Sequence, residues 1–96
     1  MEPGNGGAIT RDVRIVNRRG LHARAAARLV TLAEKFSAST EVSKDGQSVS
    51  ALSIMGLMML GAGPGSTIRL HAEGFDAKEA LDALAALIEA GFHEND

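Results

Sequence analysis

Short segments in which apolar and polar residues alternate predict the strands of this chain. Residues 12–16 (DVRIV) form the first such segment, and residues 66–74 (STIRLHAEG) form the last. Between them, STEVSKDGQSVSAL predicts a hairpin, because Asp45-Gly46 supplies the positive φ that a two-residue turn demands. The residues predicted to face the core from the first and last strands are Val13, Ile15, Ile68, Leu70 and Ala72.

Apolar residues at helical spacing predict three helices. Residues 23–36 carry the clearest pattern, with an apolar face opposite a basic face. The run 53–60 (SIMGLMML) is too short for its periodicity to decide, and we interpret it as a short helix. The last helix is expected to begin at Asp76, with Glu79 completing a capping box, and to end at Gly91. The predicted apolar face of the first helix contains Ala26, Leu29, Leu32, Ala33 and Phe36.

The element order β-α-β-β-α-β-α indicates an α+β fold, a four-stranded antiparallel sheet with helices on one face and water on the other. The 96 residues, 45% of them hydrophobic, suit one small domain. We expect this domain to span residues 10–92, between a flexible N-terminal tail (1–9) and a C-terminal tail (93–96). The chain has no cysteine, no secretory signal and no apolar run near the ~20 residues of a membrane helix. A cytoplasmic protein without membrane insertion is therefore expected.

The charge distribution points to an anionic partner. The formal net charge is −2, yet six of the ten basic residues lie within the first 28 positions. Such a local basic surface favours a specific anion or an acidic partner, and Arg19 and Arg28 are predicted to contact partners there. A nucleic-acid-binding domain is a weaker alternative, because the chain has no Trp or Tyr and only three Phe for stacking on bases.

Three further features are weak candidates for chemistry. GAGPGS has glycines that could cradle a phosphate, but it lacks the Lys-Ser/Thr of a P-loop and leads into a strand. His71 lies on the outer face of a predicted strand and His93 lies in the tail, and with His22 they lack the spacing of metal ligands. No metal and no cofactor are expected.

His22 is the strongest candidate for chemistry. It lies at the first turn of the clearest helix, where unpaired N–H groups and the positive end of the helix dipole favour an anion. Arg24 follows two residues later, and both influences disfavour imidazolium, so a neutral, nucleophilic ring is expected near pH 7. The helix end stabilises an anion by ~0.3–1 kcal/mol and a hydrogen bond from arginine by ~1.5–3 kcal/mol. These magnitudes suit a phosphohistidine that forms and transfers reversibly.

Two separated motifs, GLHARAAARLV and ALSIMGLMMLG, closely resemble the HPr family of phosphocarriers in the bacterial phosphoenolpyruvate-dependent phosphotransferase system. The motifs occur in the family's order, and the resemblance covers residues 10–92. It implies an open-faced β-sandwich of four antiparallel strands under three helices, which matches the element order given above. It also implies a phosphoryl carrier rather than an enzyme in its own right.

The resemblance implies roles for particular residues. His22 would be phosphorylated on Nδ1 by Enzyme I and would pass the phosphoryl group to a IIA-type protein, with Arg24 stabilising the phosphate. Ser53 would be the regulatory site of an HPr serine kinase/phosphorylase. Met55 and Met58 are predicted to contact partners, since exposed methionines adapt to several surfaces. Without the resemblance, His22 would be interpreted as an ordinary residue at a helix start and Ser53 as an N-cap.

The chain departs from the family at one position in the first motif. The family usually has proline where this chain has Ala25, a change that should keep the helix at little cost. The ending ALIEAGFHEND looks more like the nitrogen-related branch than the sugar-transport branch, which predicts a regulatory output. The alternative function is a regulatory binding module whose affinity for a target enzyme or transporter depends on phosphorylation of His22 or Ser53. A monomer is expected in either case.

Overall fold

The computed structural model describes residues 8–94, and its elements follow the predicted order. The bounds are β1 Ala8–Arg14, α1 Ala23–Ala33, β2 Ser39–Lys44, β3 Gln47–Ser50, α2 Ile54–Met59, β4 Thr67–Glu73 and α3 Ala77–Glu89, followed by a 3-10 turn at Gly91–His93. No helix in this part of the chain is both long enough and apolar enough to cross a membrane.

The four strands form one antiparallel sheet in the order β1-β4-β2-β3. Along β4, Ile68, Leu70 and Ala72 are buried while the residues between them are more exposed, as the alternating pattern predicts. The helices cover the face to which these three residues point. The predicted α+β architecture, with one covered face and one open face, is therefore confirmed.

The strands β2 and β3 are joined by the predicted two-residue turn. Asp45 and Gly46 have φ of +51° and +85°, the two left-handed residues of a type I′ turn. Lys44 and Gln47 pair directly across it. The dipeptide therefore sets the register of the hairpin, because a turn of fixed length leaves one pairing of the strands.

The core lies between the helices and the covered face of the sheet. The apolar side of α1 packs against both α2 and α3, and α3 packs against β1 and β4. The largest fully buried side chains come from all layers: Ile15, Leu29, Val42, Leu57, Ile68, Leu70, Leu84, Ile88 and Phe92. Phe92 lies beyond the end of α3, so the core extends past the last helix.

The first strand begins earlier than the sequence pattern predicts. Ala8 and Ile9, assigned above to a flexible tail, pair with Glu73 and Ala72 of β4. The apolar alternation does not reveal this part of the strand, because β1 is an edge strand whose first five residues are all exposed. Residues 1–7, the rest of the predicted tail, lie outside the described part of the chain.

The helix α1 ends at Ala33 rather than at the predicted Phe36. The N–H groups of Lys35 and Phe36 donate to carbonyls three residues back, at 3.1 and 3.2 Å, so the last turn tightens into 3-10 geometry. Phe36 still packs against the core, although it is only partly buried. The apolar spacing therefore identified a core residue correctly but extended the helix by one turn.

The capping box predicted at the start of α3 is wrong. The side chain of Asp76 makes no capping hydrogen bond within α3. Its carboxylate instead accepts hydrogen bonds from the N–H groups of Ser37 and Ala38, at 2.9 and 2.8 Å. Asp76 thus joins the start of α3 to the segment between α1 and β2. At the other end, Gly91 follows α3 with φ of +65°, in agreement with its predicted role.

Two loops are bonded together immediately before α1. The N–H of Leu21 donates to the carbonyl of Ala62 at 2.9 Å, and the N–H of Ile15 donates to the carbonyl of Ser66 at 2.8 Å. Gly20 has φ of +66°, and a Cβ at this position would lie 2.4 Å from the oxygen of Ala62. Glycine is therefore needed at residue 20 both for its backbone conformation and for the close approach of the two loops.

Replacing Gly20 with alanine should destabilise the protein more than replacing Gly61. Both glycines have φ of +66°, so alanine costs about 1–2 kcal/mol of backbone strain at either position. Only at Gly20 would the new Cβ also collide with a backbone oxygen, whereas a Cβ at Gly61 has nothing within 4 Å. In urea denaturation we expect the free energy of unfolding of Gly20→Ala to be about 1–3 kcal/mol lower than that of Gly61→Ala. Equal losses would contradict the steric role assigned to Gly20.

Candidate functional site

His22 immediately precedes α1 and is its N-cap residue. Its backbone is extended, with φ −75° and ψ 178°, and its carbonyl accepts the first helical hydrogen bond from the N–H of Ala26 at 2.8 Å. The side chain makes no capping hydrogen bond to the helix. The first-turn N–H groups of α1 therefore have no intrahelical acceptor and lie at the positive end of the helix dipole, beside the ring.

The charged group in contact with the His22 ring is the carboxylate of Glu94. Nε2 of His22 is hydrogen-bonded to Oε2 of Glu94, and Nδ2 of Asn17 donates to Oε1 at 3.0 Å. The same amide nitrogen donates to the carbonyl of Gly20 at 2.8 Å. The side chains of His22 and Glu94 are only 15% and 11% exposed. The sequence pattern suggests a ring among cations, whereas the ring is paired with an acid.

These contacts keep Glu94 ionised. The hydrogen bond from His22 has the largest effect and lowers the pKa of Glu94 below the ordinary value of a glutamate. The hydrogen bond from Asn17 lowers this pKa further, and the positive charge of Arg19 makes a smaller contribution in the same direction. Desolvation of the carboxylate opposes the shift but does not outweigh it.

Glu94 reaches the ring through residues 91–94, which we call the C-terminal hook. The first three residues of the hook have φ of +65°, +56° and +60°, and this left-handed turn reverses the chain after α3. The side chain of Phe92 within it is fully buried. Its carbonyl accepts a hydrogen bond from the guanidinium of Arg28 on α1. The hook is therefore fixed to the core and to the helix that begins at the site.

The boundary predicted for the C-terminal tail is wrong. Within the segment 93–96, the N–H of Glu94 donates to the carbonyl of Gly91 at 3.1 Å and its side chain enters the site. Glu94 and Asn17 are the two site residues that sequence reasoning missed. One signal could have indicated Glu94, since an apolar residue such as Phe92, placed just after a helix-ending glycine, often packs back against the helix. Residues 95–96 lie outside the described part of the chain.

The predicted arginines lie in two neighbouring clefts. Arg19 lines an open cleft of about 300 Å³ together with His22 and Met58. Arg24 lies on the exposed side of the first turn of α1 and lines a second cleft, of about 410 Å³, between α1 and α3. Arg28 lines this second cleft as well and is bonded to the hook. Within residues 8–94, the side chain of Arg24 makes no hydrogen bond or ion pair.

The helix α2 presents an apolar surface near His22. Leu57 is fully buried and anchors this helix, whereas Met55 is 71% and Met58 is 42% exposed. Met59, which is not among the predicted partner contacts, is exposed as well. We call Met55, Met58 and Met59 the methionine surface. It adjoins the His22 cleft, because Met58 lines that cleft.

Ser53 is the N-cap of α2. Its Oγ accepts a hydrogen bond from the N–H of Gly56 at 2.9 Å, and the side chain is partly buried. A Cβ on Gly56 would lie 3.0 Å from both Oγ of Ser53 and Cβ of Val49. The glycine within α2 therefore permits a close approach to β3, which accounts for a residue that otherwise weakens a helix.

Of the weaker candidates, the GAGPGS segment has a structural role. The GAGPGS segment connects α2 to β4, with φ of +66° at Gly61 and +88° at Gly65, and no helix follows it directly. His71 lies on β4 with its Nδ1 3.9 Å from a carboxylate oxygen of Glu41. Among residues 8–94, no three His, Asp or Glu side chains lie close enough together to hold a metal ion.

Replacing His22 with alanine should raise the pKa of Glu94 toward the ordinary glutamate value, because it removes the hydrogen bond that lowers this pKa most. Since the pKa is lowered in the folded chain, the contact stabilises the fold above the ordinary pKa of glutamate. This stabilisation is lost as the pH falls through the lowered pKa. The carboxyl ¹³C shift of Glu94, followed against pH, measures this pKa in wild type and in His22→Ala. His93→Asn is the matched control, since asparagine tolerates the positive φ of residue 93. An unchanged midpoint in His22→Ala would refute the conclusion that the hydrogen bond from His22 lowers the pKa of Glu94.

Comparison with known proteins agrees with the fold. The family model for the PTS HPr component phosphorylation site matches residues 9–90. The chain is 50% identical over 88 residues to phosphocarrier protein HPr of Cupriavidus necator, covering 92% of this chain and 99% of that protein. It is 46% identical over 86 residues to phosphocarrier protein NPr of Shewanella violacea, covering 90% of this chain and 94% of that protein.

Solved structures give the same result. The crystal structure of HPr-C-His from Thermoanaerobacter tengcongensis superimposes with a TM-score of 0.86 at 46% identity, and the match covers 92% of this chain and 99% of that chain. The similarity thus extends over sequence, topology and nearly the full length of each relative. The chain belongs to the HPr family, the phosphocarrier proteins of the phosphotransferase system.

Proposed function

We propose that His22 accepts a phosphoryl group from Enzyme I, which takes it from phosphoenolpyruvate, and passes it to a IIA-type protein. The observation that carries this proposal is the arrangement of the ring at the positive end of α1, beside an open cleft. Nε2 is engaged by Glu94, whereas Nδ1 makes no hydrogen bond within residues 8–94. Nδ1 is also the nucleophile that membership of the family implies.

The surroundings of His22 suit a phosphoryl group more than an unmodified ring. The first-turn N–H groups of α1 can donate to phosphoryl oxygens, and the helix end favours an anion by ~0.3–1 kcal/mol. Arg24 belongs to the same turn and has no competing partner within residues 8–94, so its guanidinium is available to donate as well. A charge-assisted hydrogen bond of this kind adds ~1.5–3 kcal/mol. Contributions of this size stabilise a phosphohistidine without preventing its transfer.

We further propose that partners dock on the methionine surface and on the arginines beside it. Met58 and Arg19 line the same cleft as His22, so a partner that covers this cleft brings its own reactive group to the ring. Met55 extends the apolar contact along α2, and Arg28 adds positive charge on α1. The expected partners present an apolar patch with acidic residues around it.

A second candidate function is regulation through Ser53, by an HPr serine kinase/phosphorylase where one is present. The observation that favours it is the position of Ser53 on α2, two residues before the exposed Met55. A phosphoryl group would add a charge of about −1.5 to −2 at the border of the docking surface. Acidic partners would then be repelled, and the affinity for a target enzyme or transporter would depend on the phosphorylation state.

The output is proposed to be regulatory and related to nitrogen metabolism rather than to sugar transport. The ending ALIEAGFHEND supports this branch, and so does the 46% identity to a protein named NPr. The 50% identity to a protein named HPr supports the sugar-transport branch. The type of protein that accepts the phosphoryl group from His22 therefore decides between the two branches. Function as a cytoplasmic monomer, with a carrier domain that runs from β1 through the hook, is part of the same proposal.

Incubation with phosphoenolpyruvate and Enzyme I should give an acid-labile phosphoryl adduct on wild-type protein and none on His22→Ala. The reason is that the adduct forms on a ring nitrogen of His22, and phosphoramidates hydrolyse in acid. Intact-protein mass spectrometry with and without acid treatment measures it. In the same assay Arg24→Ala should be phosphorylated more slowly, since one donor to the phosphoryl oxygens is lost.

His71→Ala and His93→Asn are the matched controls and should carry the adduct at the wild-type level. An adduct that persists on His22→Ala, or a wild type that stays unmodified, ends the carrier proposal. Passing the labelled phosphoryl group to purified IIA-type proteins then tests the output. Faster transfer to a nitrogen-type acceptor than to a sugar-type acceptor supports the regulatory branch, and the reverse order refutes it.

A purified HPr serine kinase should modify wild-type protein and leave Ser53→Ala unmodified. Ser50→Ala, which alters an exposed serine just before α2, is the control and should be modified normally. The phosphorylated wild type should bind Enzyme I more weakly, because the added charge borders the docking surface. Isothermal titration calorimetry measures the change, and equal affinity of the two forms would contradict the regulatory role.

A further inference from the structure

We propose that Glu94 is a positioning residue for phosphoryl transfer, whose carboxylate holds the proton of His22 on Nε2 and so leaves the Nδ1 lone pair free to attack phosphorus. This inference rests on the proposed function of His22 and deepens it. Glu94 lies beyond the last helix and belongs to neither of the two motifs that define the site.

The identity of the protonated ring nitrogen follows from the chemistry of the contact. An ionised carboxylate can only accept hydrogen bonds, so the ring nitrogen that faces Glu94 must be the donor. That nitrogen is Nε2, and Asn17 completes the carboxylate's surroundings by donating to its other oxygen at 3.0 Å. In a neutral imidazole a proton on Nε2 leaves Nδ1 unprotonated. The tautomer required for attack through Nδ1 is therefore the one that Glu94 selects.

The carboxylate can select the tautomer because it is itself held in place. Asn17 is buried and is anchored by its hydrogen bond to the carbonyl of Gly20 at 2.8 Å. On the other side, Phe92 is fully buried and its carbonyl is bonded to Arg28. Contacts on both sides thus fix the side chain and the backbone of Glu94. The ring is held in its reactive orientation, and no rearrangement is needed at the moment of reaction.

Glu94 also stabilises the charge that develops during transfer. As the Nδ1 lone pair forms the N–P bond, the bond from phosphorus to the donor atom of phosphorylated Enzyme I breaks, and its electron pair stays with Enzyme I. The ring keeps its Nε2 proton and becomes more positive, opposite the negative carboxylate. In onward transfer the N–P bond breaks and its electron pair returns to Nδ1, so the same contact serves both steps.

The carboxylate does not block the nucleophile. The two nitrogens of an imidazole point in different directions, so a group bonded to Nε2 leaves the approach to Nδ1 open. The serine-protease triad uses the same arrangement, with a carboxylate on the ring nitrogen opposite the reacting one. An inhibitory carboxylate, which would repel the incoming phosphoryl group, predicts the opposite effect of removal, and the experiment below separates the two roles.

The tautomer is measured directly on ¹⁵N-labelled full-length protein by two-bond ¹H–¹⁵N correlation spectra of the imidazole, at a pH where the ring is neutral. Wild type should carry the proton on Nε2, whereas Glu94→Ala should give a mixture of both tautomers. Glu89→Gln is the matched control, because Glu89 is an exposed residue near the end of α3 whose carboxylate lies 3.5 Å from Arg11. It should keep the wild-type spectrum.

Single-turnover phosphorylation by Enzyme I then measures the consequence. Glu94→Ala should lower the maximal rate about 10–100-fold, the range for carboxylates that orient a metal-ligating histidine, with the dependence on Enzyme I concentration unchanged. Circular dichroism checks that the variants are folded. A wild-type tautomer in Glu94→Ala, or a rate in Glu94→Ala equal to or above that of wild type, overturns the positioning role. If wild type itself takes no phosphoryl group, it is the proposed function that fails.

Discussion

The hydrogen bond between the imidazole of His22 and the carboxylate of Glu94 is the interaction on which the site depends. It joins the loop before α1 to the segment after α3, two parts of the chain separated by 72 positions. One partner is a ring that can donate from only one nitrogen when neutral, and the other can only accept. The contact therefore assigns a distinct role to each ring nitrogen, which neither helix dipole nor surface charge does by itself.

The turns around this contact are strained, and the core offsets the strain. Two non-glycine residues of the hook, Phe92 and His93, have left-handed φ, at a cost of about 1–2 kcal/mol each. Complete burial of Phe92 contributes roughly 1.5–3 kcal/mol, which is of the size needed. Gly20, two residues before His22, also has a left-handed φ, but without strain because glycine has no side chain. The site is thus built from turns whose geometry is imposed by packing.

The proposed chemistry and the proposed docking surface occupy adjacent elements. The ring lies at the start of α1, and the methionine surface lies on α2, with the His22 cleft between them. In the proposed reaction this separation lets one apolar surface receive different partners while the reacting nitrogen keeps one environment. It also explains how a charge at Ser53 could alter docking without entering the reaction. The two proposed functions, carrier and regulatory module, are therefore compatible with the same surface.

The sequence by itself determined the features that depend on local spacing. Alternation identified β4, and Asp45-Gly46 set the hairpin. Helical spacing defined α1 and α3 to within a turn, with a glycine stop for α3. The GLHAR motif likewise identified His22 and its place at a helix start. Local rules failed where a residue's partner is distant in sequence, as for Asp76, whose carboxylate binds the segment after α1 rather than its own helix.

Tertiary structure alone decided the surroundings of the ring. No periodicity indicates that Glu94 returns to His22, because its position results from a buried Phe92, a left-handed turn and a hydrogen bond from Arg28 acting together. The sequence suggested cations around the ring, since the nearest charges along the chain are arginines. Folding brought an acid to it instead. Hydrophobic burial determines which distant residues meet, whereas patterns along the chain report only on local structure.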